Sequence, residues 1–234
     1  MIDSYLRPLI DPPLNRAGRA VARIGLSANG VTMIGFGFGL SAAAFIAVEL
    51  YILGGLFILL NRLFDGLDGA VSRATAPTQA GGFLDIVLDF FIYGLVPVGF
   101  AIADPDRNGA AAAFLIASFY ANGSAFLAFS IFAEKLGLRS SAQGVKSLYY
   151  MSGIAEGFET IVVFVLFCLY PNRFAELAIL FAIICFVSAG ARCVNGFIVI
   201  RNHENTPETF EDDAAEDLFE DAPEEPPAIP QQEI

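Results

Sequence analysis

Residues 64–91 read FDGLDGAVSRATAPTQAGGFLDIVLDFF and place four aspartates in one of the most apolar regions of the chain. Asp65 and Asp68 are three positions apart, and Asp85 and Asp89 are four positions apart. Residues at these spacings share one face of a helix. The stretch therefore predicts two helices, each of which presents a pair of carboxylates.

A short break separates the two aspartate pairs. Pro77, Gly81 and Gly82 lie in this break, and residues of these types interrupt helices. Two helices joined by such a break pack side by side and antiparallel. We therefore expect the neighbouring helix ends to bring all four aspartates together.

The rest of the chain is that of a membrane protein. It is 56% hydrophobic with a mean hydropathy of +0.61, and its apolar segments approach the length of a bilayer crossing. We predict an all-α integral membrane protein with six transmembrane helices, over residues 31–49, 51 into the aspartate motif, 82–103, 109–133, 153–170 and 174–200. Gly35, Gly37 and Gly39 in the first span predict close helix contact.

The first 24 residues have a different pattern, in which arginines alternate with apolar residues. This pattern is typical of a short helix that lies on a negatively charged membrane face, and Pro12 and Pro13 are expected to interrupt it. We predict three parts of the chain: a juxtamembrane amphipathic segment (1–26), a six-helix membrane domain (27–202) and an acidic tail (203–234).

The net charge of −12 belongs to the tail. Residues 203–234 contain 12 Asp or Glu and no Lys or Arg, which leaves 13 acidic and 13 basic residues in the body. A proline-rich acidic segment buries too little apolar area to offset the entropy of ordering, so we predict a disordered tail. We expect the bilayer, and no nucleic acid, as a partner.

Basic residues predict the orientation, because cytoplasmic segments of membrane proteins are enriched in Lys and Arg. With the N-terminus inside, nine basic residues fall on the inner side: Arg7, Arg16, Arg19, Arg23, Arg73, Lys135, Arg139, Lys146 and Arg201. Only Arg107 and Arg173 fall in outer turns. We predict a multi-pass protein of the cytoplasmic (inner) membrane, with both termini and the aspartates at the cytoplasmic face.

Four neighbouring carboxylates in a membrane require a cation, because unpaired charges there are too costly to desolvate. Carboxylate oxygens suit hard ions such as Mg²⁺, Mn²⁺ or Ca²⁺. His203, the only histidine, opens the tail, so no histidine metal site is possible. Capping or salt-bridge roles at helix ends would explain one such aspartate, but not two pairs.

The stretch resembles the signature of the CDP-alcohol phosphatidyltransferase family, D-x2-D-G-x2-A-R-x8-G-x3-D-x3-D. The matching residues are Asp65, Asp68, Gly69, Arg73, Gly81, Asp85 and Asp89. Ser72 replaces the usual alanine, and the spacer from Arg73 to Gly81 has seven residues rather than eight. Counting to Gly82 restores the eight but shortens the next gap. The resemblance covers roughly residues 25–200.

The family moves a phosphatidyl group from a CDP-linked lipid to an alcohol and releases CMP. The resemblance implies that Asp65, Asp68, Asp85 and Asp89 bind Mg²⁺ or Mn²⁺, as one ion or, as we expect, a bridged pair. It also implies that Asp89 is the general base that takes the proton of the acceptor hydroxyl. CDP-diacylglycerol and a small polar alcohol are the implied substrates, and a homodimer is the implied assembly.

The same resemblance predicts a site for the CDP group. Arg73 would hold the diphosphate, Asp68 would lie beside it, and Gly69 would let the nucleotide approach the backbone. Asn29 and Thr32, at the start of the first span, are candidates for the cytidine pocket. A helix N-cap and a first-turn residue are the alternative roles for these two side chains.

A second polar group lies in the last two spans. Glu156 and Glu159 share a helical face, and Arg192 is predicted to pair with one of them, because buried charges usually pair. The alternative is that Arg139, Lys146 or Arg192 binds a phosphate on the acceptor.

Two other functions use the same residues. A divalent-cation transporter would be expected to place carboxylates near mid-membrane, often in repeated halves, whereas this chain has no second copy of the DxxD pair. A catalytically inactive membrane scaffold would act through the acidic tail. The sequence leaves the acceptor open among glycerol phosphate, inositol or its phosphate, serine and choline.

Overall fold

The computed structural model describes residues 3–137 and 157–205, and all of its regular structure there is helical. The helices are α1 (Asp3–Arg23), α2 (Ala28–Ala47), α3 (Tyr51–Ala74), α4 (Gln79–Ala103), α5 (Pro105–Lys135), α6 (Gly157–Leu169) and α7 (Phe174–Glu204), with a 3₁₀ turn at Pro171–Arg173. The prediction of an all-α fold is confirmed. Residues 1–197 form one compact unit and residues 198–234 form another, whose described part is the end of α7.

Within residues 3–137 and 157–205, four helical segments are long and apolar enough to cross a membrane: α2, α4, α5, and α7 with its preceding turn. The other two predicted spans correspond to α3, which carries the first aspartate pair, and to α6, which has 13 residues. The count of six spans stays a prediction. The predicted tail lies outside the described residues from position 206 onward.

Helix α1 contains both Pro12 and Pro13 in its interior, so the predicted interruption there is wrong. An interior proline removes a backbone hydrogen bond and crowds the carbonyl one turn earlier, so a helix that contains it needs support from other contacts. Helix α1 packs against α3, and this contact supports the continuous helix. At the contact, a Cβ on Gly18 would lie 2.7 Å from the carbonyl carbon of Ala70.

Helix α2 packs against both α3 and α4. Two of the three predicted glycines permit this approach: a Cβ on Gly35 would lie 2.9 Å from Cβ of Phe64, and one on Gly39 would lie 2.4 Å from Cδ1 of Ile92. The prediction is wrong for Gly37, because no described atom beyond its own stretch of α2 lies within 4 Å of its Cβ position. The helical period turns that residue away from the contact.

Buried aromatic rings hold the helices together at one end. Phe100 of α4 stacks on Phe174 of α7 at 4.3 Å between centroids, and Phe167 of α6 meets Phe174 edge-on at 4.9 Å. Tyr51, at the start of α3, stacks on Phe100. Tyr51 begins α3 and Phe100 lies near the end of α4, so the two helices are antiparallel. The aromatic cluster therefore lies at the end of this helix pair that is far from the aspartates.

Candidate active site

The two aspartate pairs meet where α3 ends and α4 begins. Asp65, Asp85 and Asp89 each offer a carboxylate oxygen, and these three oxygens lie within 4.8 Å of one another. All three side chains are partly buried. The predicted convergence of the two helix ends therefore brings three of the four proposed metal ligands into one cluster.

Asp68 lies beside these three residues and is more deeply buried, at 5% exposure. Its Oδ2 atom has no hydrogen-bond partner among the described residues. All four aspartates line one narrow gap of about 10 Å³, which is about the room that a single water molecule requires. We call this space the carboxylate gap.

The carboxylate gap has the chemistry of a divalent-cation site. Leaving a buried carboxylate oxygen unpaired is costly, and an ion in the gap would pair it. The surrounding donors are carboxylates without His or Cys ligands, as Mg²⁺ and Mn²⁺ prefer. The residues present therefore fit such an ion.

Two polar residues of this site were not predicted. Arg62 lies one turn before Asp65 on α3, and its Nη1 donates a hydrogen bond to Oδ2 of Asp65. Asn61 is buried, and its Nδ2 donates to the carbonyl oxygen of Gly35 in α2, at 3.0 Å. The sequence did contain a signal for these two residues, namely an adjacent Asn and Arg in an otherwise apolar span. Polar residues within a span usually pair with other polar groups, so both could have been assigned to the site.

A larger space, of about 310 Å³, opens next to the gap, and we call it the first cavity. Four of the residues predicted to bind the CDP group line it: Asn29, Thr32, Asp68 and Gly69. Asp85 also lines it, so the first cavity adjoins the carboxylate cluster.

The start of α2 tests the alternative roles of Asn29 and Thr32, which were a helix N-cap and a first-turn residue. Ser27 is the N-cap, and its hydroxyl accepts a hydrogen bond from the Gly30 amide at 3.1 Å. The alternative N-cap role for Asn29 is therefore wrong. Thr32 is in the first turns of α2, and its hydroxyl donates to the Ala28 carbonyl at 3.0 Å.

The turn before α4 distinguishes the two candidate glycines of the motif. Thr78 is the N-cap of α4, and its hydroxyl accepts a hydrogen bond from the Gly81 amide at 3.0 Å. A Cβ on Gly81 would lie 2.9 Å from the Thr78 hydroxyl and 3.0 Å from Oδ1 of Asn29, whereas no described atom lies within 4 Å of a Cβ on Gly82. The geometry thus favours glycine at position 81, because an added Cβ would have to displace these two side-chain oxygens.

Arg73 lies at the edge of the first cavity. Its Nη1 is 3.3 Å from the Cβ position of Gly69, which lines that cavity. Its Nε and Nη2 donate to Oδ1 of Asn15 in α1. Asn15, which the sequence did not single out, thus orients the arginine that the motif assigns to the diphosphate.

A second cavity, of about 360 Å³, adjoins the cluster through Asp89. Its wall includes Tyr93, Asn122, Thr160 and Arg192. Arg192 is 9% exposed, and its Nη1 donates to Oδ1 of Asn122 at 3.0 Å.

The predicted pairing of Arg192 with a glutamate stays a prediction. Glu156 lies outside the described residues, as do Arg139 and Lys146. Glu159 lies on α6, and its buried Oε2 has no hydrogen-bond partner among the described residues. Arg192 also lies over the ring of Phe126, 5.6 Å from its centroid.

Comparisons with known proteins give three relatives of two kinds. The chain is 42% identical over 202 residues to the inner membrane protein YnjF of Escherichia coli, a match that covers 86% of this chain and 98% of YnjF. It is 38% identical over 87 residues to the archaetidylinositol phosphate synthase of Pyrococcus horikoshii, and 36% over 95 residues to that of Methanothermobacter thermautotrophicus. These two matches span 37% and 40% of this chain, and about half of each synthase, at 46% and 45%. No family model matches the chain.

The fold is similar to that of a solved enzyme. The crystal structure of Mycobacterium tuberculosis phosphatidylinositol phosphate synthase with CDP-DAG bound matches with a TM-score of 0.53 and 20% identity, over 85% of this chain and 96% of that one. Four observations agree on one family: the relative that matches over nearly the full length, the two archaeal synthases, this fold and the aspartate signature. The chain belongs to the CDP-alcohol phosphatidyltransferase family.

Proposed function

We propose that the protein transfers a phosphatidyl group from CDP-diacylglycerol to the hydroxyl of a small polar alcohol and releases CMP, with Mg²⁺ or Mn²⁺ as cofactor. The observation that carries the proposal is the position of the carboxylate cluster between two cavities. Asp68 and Asp85 line the first cavity, and Asp89 lines the second. A transferase that joins two substrates needs this arrangement, because donor and acceptor must meet at one reacting atom.

On the donor side, the first cavity receives the CDP group. Asn29 and Thr32 contact the nucleotide, Gly69 and Gly81 leave room for it, and Arg73 neutralises the diphosphate. Asp65, Asp68, Asp85 and Asp89 would hold the two divalent ions. When bound, these ions neutralise the diphosphate and stabilise the charge that develops on CMP as it leaves.

On the acceptor side, the alcohol occupies the second cavity. Asp89 takes the proton from its hydroxyl, and the oxygen attacks the phosphorus that carries the lipid. The bond from this phosphorus to the phosphate oxygen of CMP breaks, and CMP leaves. Arg192 supplies positive charge for an acceptor that carries a phosphate, and Arg139 and Lys146 are further candidates.

The membrane arrangement belongs to the same proposal. Six helices cross the cytoplasmic membrane of the cell, both termini and the site face the cytoplasm, and the protein is a homodimer. The CDP-DAG bound to the fold neighbour supports the donor, and the names of the archaeal relatives support the synthesis of a phospholipid.

The test is turnover by the purified protein. It is incubated with CDP-diacylglycerol and a panel of alcohols, with Mg²⁺, Mn²⁺ or EDTA, and CMP and the lipid product are measured. We expect CMP release only with metal and with one class of alcohol. Asp89→Asn should lower the rate by roughly 10²–10⁴, as removal of a general base does, while Asp106→Asn, an exposed change on α5, leaves it unchanged.

Two outcomes would contradict the proposal. Unchanged turnover by Asp89→Asn would exclude Asp89 as the base. Metal uptake into liposomes without lipid turnover would instead favour a divalent-cation transporter.

A further inference from the structure

Arg62 is a positive charge built into the carboxylate cluster. It is three residues before Asp65 on α3 and donates a hydrogen bond to Oδ2 of that residue. The exposed fraction of its side chain is 37%, against 18% for Asp65. The pair is therefore partly withdrawn from water, where an ion pair is screened less than on an open surface.

The guanidinium of Arg62 also reaches the other helices of the site. A Cβ on Gly157 of α6 would lie 4.0 Å from Nη2 of Arg62 and 3.4 Å from the hydroxyl of Tyr93 in α4. Gly157 and Tyr93 both line the second cavity. Oxygens of Asp85 and Asp89 lie within 4.8 Å of an oxygen of Asp65, so the guanidinium of Arg62 is close to all three carboxylates.

We propose that Arg62 is the counter-cation of the metal-free site, and that it releases the Asp65 oxygen when a divalent ion binds. The inference rests on the proposed metal site. An oxygen that accepts a hydrogen bond from a guanidinium has less charge to offer a metal ion, so the two cations compete for Asp65. Once released, the guanidinium lies at the wall of the second cavity.

Arg62 is thus a positioning residue with two opposing effects. It stabilises the metal-free protein, because it offsets the repulsion among the four carboxylates. It weakens ion binding, because it repels the incoming cation and occupies one of its ligands. A residue that only oriented Asp65 as a ligand would strengthen ion binding instead. The direction in which ion affinity changes when Arg62 is replaced therefore distinguishes the two roles.

The experiment measures Mn²⁺ binding and thermal unfolding of the full chain in detergent. Free Mn²⁺ is followed by electron paramagnetic resonance, and unfolding is measured after EDTA treatment and again at saturating Mn²⁺. The variants are Arg62→Gln and Arg62→Lys. Arg173→Gln is the matched control, because it breaks another Arg–carboxylate pair at i,i+3 spacing, with Glu176 at an exposed position.

We expect Arg62→Gln to bind Mn²⁺ at least about tenfold more tightly, since a unit charge a few ångströms away at an effective dielectric of about 20 contributes more than one factor of ten. Its metal-free form should melt several degrees lower than the wild type, and Mn²⁺ should close that difference. Arg62→Lys should fall between the wild type and Arg62→Gln in both Mn²⁺ affinity and metal-free melting temperature. Arg173→Gln should change neither of these quantities.

Unchanged or weaker Mn²⁺ binding by Arg62→Gln would overturn the proposal. If that variant does not fold without metal, the affinity of Arg62→Lys decides in the same way. A wild-type protein that binds no Mn²⁺ would overturn the metal site itself, which is a separate result from an Arg62 variant that behaves as the wild type.

Discussion

Arg73 at the end of α3 donates two hydrogen bonds to a single atom, Oδ1 of Asn15 in α1, from Nε at 3.3 Å and from Nη2 at 3.1 Å. The arginine belongs to the family signature, whereas the asparagine belongs to α1, the segment that the sequence predicts to lie on the membrane surface. Helix α1 therefore contributes to the candidate site, in addition to the membrane contact that its sequence predicts.

The first prediction concerns this contact. Replacing Asn15 with alanine removes the acceptor of both Arg73 hydrogen bonds and should lower kcat/KM for CDP-diacylglycerol by roughly two- to tenfold, the effect of losing one exposed acceptor. Most of the change should appear in KM, because Arg73 is proposed to bind the donor. Ala17→Ser, an exposed change on the same helix, is the control, and equal kinetics of both variants would exclude a role for Asn15.

The second prediction concerns the packing of α1 on α3. Gly18→Ala places a methyl group 2.7 Å from the backbone of Ala70 and should destabilise the protein by about 1–3 kcal/mol. Gly37→Ala is the matched control, because its methyl group meets no described atom within 4 Å beyond its own stretch of α2, and it should stabilise that helix by about 0.5–1 kcal/mol. Thermal unfolding in detergent measures both. Equal melting temperatures would mean that α1 does not rest on α3 in solution.

The third prediction decides the register of the motif. Gly81→Ala forces a methyl group against Thr78 and Asn29 at the first cavity and should weaken donor binding several-fold. Gly82→Ala meets no such contact among the described residues and should have a much smaller effect. KM for CDP-diacylglycerol is the measurement. A larger effect at position 82 would place the motif glycine one residue later.

The fourth prediction separates stability from function at Asp68. The buried carboxylate has an oxygen without a hydrogen bond within the described residues, so Asp68→Asn should stabilise the metal-free protein by about 1–3 kcal/mol. The same change removes a proposed metal ligand and should lower turnover by at least about a hundredfold. Unfolding after EDTA treatment and CMP release are measured side by side, with Asp106→Asn as the control. A less stable Asp68→Asn protein would show that the carboxylate is held by a partner other than metal.

The local sequence predicted the helices well, because each is specified by its own residues. The apolar runs gave α2, α4, α5 and α7, and the break around Pro77 gave the turn between α3 and α4. The interruption predicted at Pro12 and Pro13 is absent because the deciding contact is not local. Helix α1 packs against α3, which lies far along the chain, and this contact supports α1 as one helix.

By itself, the sequence determined the composition of the site: two aspartate pairs at helical spacing, with a break between them that turns the chain back. Only the tertiary structure decided which side chains share each space. It brought Asn15 to Arg73 and joined the aspartates to two separate cavities. It also turned Arg62 toward both the cluster and α6. The physical reason is range: helical periodicity acts over three or four residues, whereas packing joins residues that lie more than fifty positions apart in the chain.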